Sequence, residues 1–241
     1  RLYGNSALRG AIVQALDWMY ERRYNESSVR YDNWWDWDIG VPLQLNDIMA
    51  LLYDGLGPAR IERYAGAIER FMPEVAMTGA NRVWSAIIVG VRGAIVKDGG
   101  RIGEARDGLD EVFRYVTQGD GFYTDGSFVQ HRHYAYTGGY GISLLGRVAD
   151  LMDWLHESGW AVTDAGRERV AEWVYEAFRP LLYKGAMMDM SRGREIARPF
   201  MQDHDAGHAA IQAILRIARF APAAAAADLR SMVKAWISED T

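Results

Sequence analysis

Apolar residues recur every three to four positions along most of this chain, and glycines or prolines break the rhythm at short intervals. In SALRGAIVQALDWMYERRY (residues 6–24), Leu8, Ile12, Ala15, Leu16 and Met19 fall on one stripe while Arg and Glu gather towards the end, the pattern of an amphipathic helix. PLQLNDIMALLYDGLG (42–57) opens on Pro42 and stops at glycines, the usual order of helix punctuation. PARIERYAGAIERFMP (58–73) lies between two prolines. NRVWSAIIVGVRGAIVKDGG (81–100) starts behind Asn81, a residue type that caps helix N-termini, and ends in Gly99 and Gly100. Residues 100–116, 138–159, 164–183, 206–221 and 225–237 repeat the theme. The periodicity predicts about nine helices joined by short turns. Strand-like alternation is scarce, with GFYTDGSFVQ (121–130) the best candidate. The predicted fold class is all-α, built from antiparallel helix pairs. Periodicity leaves open whether they form a bundle, a solenoid or a closed ring.

Composition adds a few bounds. The 241 residues suit one large domain or two small ones, and a hydrophobic content of 49% is ample for a core. No apolar run approaches the roughly 20 residues a membrane-spanning helix needs. A net charge of -5 argues against a general nucleic-acid binder, although local arginine clusters can still hold an anionic ligand. There are no cysteines, which excludes disulfides and thiolate metal sites. The N-terminus RLYGNSALRG lacks both a start methionine and the apolar core of a signal peptide, so the chain reads as a portion of something longer. Aromatics stand out, with nine Trp and thirteen Tyr. Such rings pack cores and also offer flat platforms for polar ligands.

Five stretches carry candidate chemistry. YDNWWDWDIGVP (31–42) interleaves Trp34, Trp35 and Trp37 with Asp32, Asp36 and Asp38. Adjacent Trp34 and Trp35 cannot share a direction, so at least one should leave the core; the stretch reads either as a packed Trp cluster near a helix start or as a wall on which a sugar stacks beside Asn33. TGAN (78–81) reads either as a helix cap or as a neutral amide, Asn81, aimed at a carboxylate. In DGSFVQHRHYAYTGGYG (125–141), His131 and Tyr140 would lie on opposite faces of a continuous helix. Gly138 and Gly139 break that helix and let a loop bring the rings together, with His133, Tyr134 and Tyr136 competing for any role. DMSRGREIARP (189–199) crowds Arg192, Arg194 and Arg198. If the segment is helical, Arg194 and Arg198 share a face and require a counter-charge, either Glu195, Asp189 or Asp203 or an anionic ligand held by guanidinium forks. His204 and His208 in QDHDAGH have a metal-pair spacing but lack a clear third ligand, so no metal is expected.

Together these blocks resemble polysaccharide lyase family eight, the hyaluronate, chondroitin AC and xanthan lyases. NWWDWDIGVP resembles the family's aromatic cleft signature, TGAN its catalytic Asn segment, DGSFVQH…YTGGYG its His–Tyr segment with the nine-residue step kept, and SRGREIAR its paired-arginine segment. The blocks stand in the family's order from residue 33 to 198. Two departures occur. Val75 lies near the place of a cleft aromatic found in some hyaluronate lyases, and HRHY replaces the expected HTN after the histidine.

The resemblance implies that residues 1–241 are part of an incomplete (α/α) toroid, the catalytic domain of an enzyme whose β-sandwich domains and first helices are absent from this chain. It implies a bacterial, secreted, monomeric lyase that takes an acidic polysaccharide, hyaluronan or chondroitin in the first place and xanthan as the alternative, and that needs no cofactor. The implied reaction is β-elimination at a uronate. Asn81 would hydrogen-bond the carboxylate, while Tyr140 and His131 share the proton transfers. Arg194 and Arg198 would hold the polyanion beside Asn33, Trp34 and Trp35. A phenol of ordinary pKa near 10 is a poor base at neutral pH, and a guanidinium beside such a group favours its ionised form. Two other classes remain. One is a glycoside hydrolase using Asp36 or Asp38 with Asp125, and the other is a non-catalytic sugar-binding module.

Overall fold

The computed structural model describes residues 5–240. Two compact units emerge, one comprising Arg1–Val75 with Ile88–Glu104 and the other Ala76–Ile87 with Ala105–Thr241.

The first unit holds helices α1 (Ser6–Arg22), α2 (Val41–Leu51), α3 (Tyr53–Leu56) and α4 (Pro58–Phe71), the later part of α5 (Gly79–Val96) and most of α6 (Gly99–Asp107). Asn5 caps α1 by accepting the Leu8 amide at 2.9 Å. Of the predicted stripe, only Leu16 is buried, while Leu8 and Ala15 are exposed. The helix is held to α4 by polar contacts instead. The Asp17 carboxylate accepts Arg60 Nη2 at 3.0 Å, Arg63 Nη2 at 3.1 Å and Tyr64 Oη at 2.7 Å. The Arg60 guanidinium holds this carboxyl below its usual range. On α4, Ile61, Tyr64, Ala65, Ile68 and Phe71 line the inner face at helical spacing. The core here is aromatic. Tyr24, Trp37 and Phe71 stand 4.8–5.7 Å apart, and Tyr24 Oη donates to the Trp37 carbonyl at 2.8 Å.

The second unit begins with the first turns of α5. It continues through a small antiparallel sheet of β1 (Gly121–Phe122), β2 (Phe128–Gln130) and β3 (Tyr134–Ala135). The predicted strand segment 121–130 is therefore a hairpin, with Phe122 opposite Phe128. A π-helical turn, Thr137–Gly141, leads into α7 (Ile142–Leu155). Segment 164–183 is helical but irregular. It runs from a 3-10 turn through α8 (Arg169–Trp173) to a second π-helical turn and then strand β4 (Leu182–Tyr183), which pairs with β5 (Ala186–Met187). Helices α9 (Asp203–Phe220) and α10 (Ala223–Glu239) close the chain. Leu144, Leu145 and Val148 of α7 are buried with Ala210, Ile214 and Ile217 of α9, and Arg219 bonds Asp153 at 3.1 Å across their edge. Gly207 lets α9 approach the β4–β5 turn, because a Cβ there would collide with the Gly185 carbonyl.

The fold class is all-α, as the sequence predicts. Predicted helix 100–116 is a shorter α6 that gives way to turns after Asp107. Among the described residues, no helix is long and apolar enough to cross a membrane.

Candidate active site

Four sequence-derived residues, Asn81, His131, Tyr140 and Arg194, lie in the second unit, and three of them form one cluster. The ring of His131 stands edge-on to that of Tyr140, with centroids 4.9 Å apart and planes at 79°. Arg194 Nη2 donates to Tyr140 Oη at 3.1 Å, and its guanidinium carbon is 5.9 Å from the ring centre. Because the arginine donates, it occupies a lone pair of the phenol and leaves the O–H hydrogen free to point at another acceptor.

Local sequence explains this convergence. The π-helical turn at Thr137–Gly141 inserts an extra residue before α7, and such turns frequently mark functional sites. Gly138 and Gly139 permit it. A Cβ on Gly138 would sit 2.7 Å from Arg192 Cγ, and one on Gly139 would sit 2.3 Å from Tyr136 Cε1. The buried Tyr136 is the hinge of the cluster, edge-on to Tyr140 at 5.0 Å and 6.3 Å from the His131 ring. Its hydroxyl donates to Glu195 Oε1 at 3.4 Å. Burial pushes the Tyr136 phenol above its ordinary pKa, and Glu195 adds to the shift against the opposing pull of Arg194. For Arg194, desolvation works downward, but the facing Tyr140 and Tyr136 more than offset it, so its pKa rises and its charge is secure.

Asn81 is not the cap of α5, contrary to the simpler of its two sequence readings. The helix starts two residues earlier, at Gly79, and the Ala80 amide is bonded instead by Gln130 Oε1 at 3.1 Å. Asn81 Oδ1 is buried without a hydrogen-bond partner among the described residues. One turn further on the same face, Trp84 meets the Tyr140 ring edge at 5.8 Å, which turns this face of α5 towards the phenol.

The arginine segment differs from its helical expectation. Gly193–Ala197 is a 3-10 turn and Arg198 is extended. Three residues per turn bring Glu195, rather than Arg194, beside Arg198, at 2.5 Å. Arg192 is buried, bonded to Asp189 at 2.5 Å and to the Met201 carbonyl. Among the described residues Arg194 forms no ion pair, whereas both neighbouring arginines do.

Asn33, Trp34 and Trp35 belong to the first unit. Trp34 is 44% exposed, Trp35 is half-buried and Asn33 is exposed, its Oδ1 accepting the Trp35 amide at 3.2 Å. Trp37 is a core residue. Two of the carboxylates named in the hydrolase reading, Asp38 and Asp125, are engaged elsewhere. Asp38 is buried against Arg30 at 2.7 Å, and Asp125 accepts the Ser127 amide and hydroxyl within its own turn. His208 Nε2 lies 2.7 Å from Asp240 Oδ2, and among the described residues no group of three candidate ligands is arranged to hold a metal.

Residues 1–235 match the model of the N-terminal α-helical domain of polysaccharide lyase family 8. The chain belongs to that family. A xanthan lyase from Bacillus sp. (strain GL1) is 53% identical over the whole chain, and a hyaluronate lyase from Thermasporomyces composti is 42% identical over 99% of it. The chain spans 26% and 31% of these two relatives. The solved Streptomyces coelicolor A3 chondroitin AC lyase, in complex with chondroitin sulphate, superposes with a TM-score of 0.95 at 39% identity, over 99% of this chain and 34% of its own. The fold class of this family 8 chain is accordingly that of part of an (α/α) toroid. The family motifs did not single out Trp84 or Glu195. Trp84 was detectable as the residue one turn after Asn81, but nothing local signals that Glu195 would turn inward to Tyr136.

Proposed function

We propose that this chain is the catalytic α-helical part of a lyase that cleaves a uronate-containing polysaccharide by β-elimination. The observation that carries the reading is the unit formed by His131, Tyr140 and Arg194, which forms no ion pair among the described residues. In the reaction a proton leaves C5 of the uronate, the C4–O bond to the leaving sugar breaks with its electron pair going to oxygen, and a C4=C5 double bond remains. Asn81 hydrogen-bonds the uronate carboxyl group and disperses the charge that builds there, the kind of preorganised contact that contributes a few kcal/mol. Tyr140 hands its free proton to the departing oxygen, and His131 takes the C5 proton. Arg194 orients the phenol and, with Arg198, holds the polyanion. In the first unit, Trp34 and Trp35, with Asn33, offer a surface on which a sugar ring can stack.

The departure at Val75 is a difference from some hyaluronate lyases, and with the 53% identity to a xanthan lyase it favours xanthan over hyaluronan or chondroitin. We read the active enzyme as a secreted bacterial monomer in which β-sandwich domains complete the cleft. Incubating the full-length protein with xanthan, hyaluronan and chondroitin in turn, while following ultraviolet absorbance, tests both levels. An absorbing unsaturated product from any of them supports elimination. Cleavage that yields only saturated ends sinks it, and a preference for hyaluronan overturns the choice of polymer alone.

A further inference from the structure

A set of side chains that the reaction scheme does not use ties the loop of His131 to the helix that bears Asn81. Gln130 is fully buried with both ends of its amide engaged: Oε1 accepts the Ala80 N–H at 3.1 Å and Nε2 donates to Asp120 Oδ2 at 2.9 Å. The same Asp120 oxygen accepts the Thr78 hydroxyl at 3.0 Å, and Oδ1 accepts the Arg132 backbone N–H at 2.7 Å. Gly79 lies at φ +55°, where a Cβ would stand 2.4 Å from Gln130 Oε1, so the two segments approach as closely as backbone allows. His131 and Arg132 are themselves left-handed, at φ +53° and +69°. Residues other than glycine hold that conformation only when their surroundings impose it. His131 is thus pinned on one side through Gln130 and on the other through Arg132, and both bonds end on one carboxylate. Asn81 directly follows the anchored Ala80.

We propose that Asp120, with Gln130 as its arm, is a positioning residue that fixes the separation and aim of the His131 imidazole and the Asn81 amide. The proposal rests on the roles given above to His131 and Asn81. A carboxylate receiving three donors makes strong, directional bonds. Without it, the left-handed pair relaxes towards ordinary φ and swings the imidazole, and a misplacement of about 1 Å in such a site lowers turnover about a hundredfold.

The test uses Asp120→Ala, Asp120→Asn, Asp125→Ala and Tyr140→Phe in the full-length protein, with kcat, KM and thermal unfolding measured on the polymer it cleaves. Asp120→Ala should lose about tenfold to a hundredfold in kcat with KM little changed. Asp120→Asn, which keeps an acceptor in place, should recover part of that. Asp125→Ala, which disturbs only the tip of the same hairpin, should turn over at the wild-type rate. Unchanged kcat in Asp120→Ala, or an equal loss in Asp125→Ala, overturns the proposal. If Asp120→Ala does not fold, Gln130→Met breaks the Asp120–Gln130 and Gln130–Ala80 bonds at similar volume, and wild-type kcat there overturns it equally. Turnover surviving in Tyr140→Phe sinks the elimination scheme itself. Turnover lost there but intact in Asp120→Ala sinks the clamp alone.

Discussion

Two π-helical turns of five residues each precede a regular helix, and they use the inserted residue in opposite ways. In Asp36–Gly40 the turn drives Trp37 and Ile39 into an aromatic and aliphatic core and leaves Trp34, just ahead of it, in solvent. In Thr137–Gly141 the buried positions are Thr137 and three glycines, and the single ring, Tyr140, stays half-exposed against His131 and Arg194. The first turn spends its large residue on packing. The second spends backbone freedom on presenting one hydroxyl. The same local deviation from the α-helix therefore serves packing in one place and, on the proposed function, reactivity in another, and the residues around the turn decide which.

The largest effect that could break this contrast is on chemistry. Tyr140→Phe keeps the ring contacts and removes only the proton carrier, so turnover should fall by about 10²–10⁴-fold while the unfolding midpoint stays at the wild-type value. Next comes packing. Trp37→Ala should destabilise the fold by about 3–5 kcal/mol, whereas the exposed Trp34→Ala should stay within about 0.5 kcal/mol and raise KM instead. Denaturant unfolding with steady-state kinetics separates the two, and equal stability losses would erase the distinction. The finest probe is the glycine in each turn. A Cβ on Gly139 meets the buried Tyr136 ring at 2.3 Å and Glu195 Cγ at 2.9 Å, while one on Gly40 meets the outer edge of Trp35 at 2.8 Å. Gly139→Ala should therefore cost about 1–3 kcal/mol and lower turnover. Gly40→Ala, whose neighbour is half-buried and can yield, should lose less in thermal unfolding.

How far these features were legible depended on whether their cause was local. Helices α4 and α9 lie where the periodicity puts them, and their buried residues recur three or four apart. The meeting of His131 and Tyr140 was legible because Gly138 and Gly139 sit between them. Asn81 was open to misreading as a cap because the group that bonds the start of α5 comes from Gln130, 50 positions along the chain. Leu8 and Ala15 have the right spacing for burial yet stay exposed, while Leu16 of the same stripe is buried beside the Asp17 ion pairs to α4. The three arginines look alike in sequence. Only the 3-10 turn, which pairs Glu195 with Arg198 while Asp189 takes Arg192, leaves Arg194 for the phenol.

The buried, unmatched oxygen of Asn81 has a consequence for how such a protein ages and adapts. An unsatisfied acceptor away from water costs about 1–3 kcal/mol, so the resting molecule is weaker here than an apolar residue of the same size would make it. On the proposed function the amide nitrogen donates to the uronate carboxylate, and a sugar hydroxyl donating to Oδ1 would turn that weakness into grip. Substitutions favoured purely for heat tolerance would remove it, so under the proposed function endurance and chemistry stand in direct opposition at this one amide.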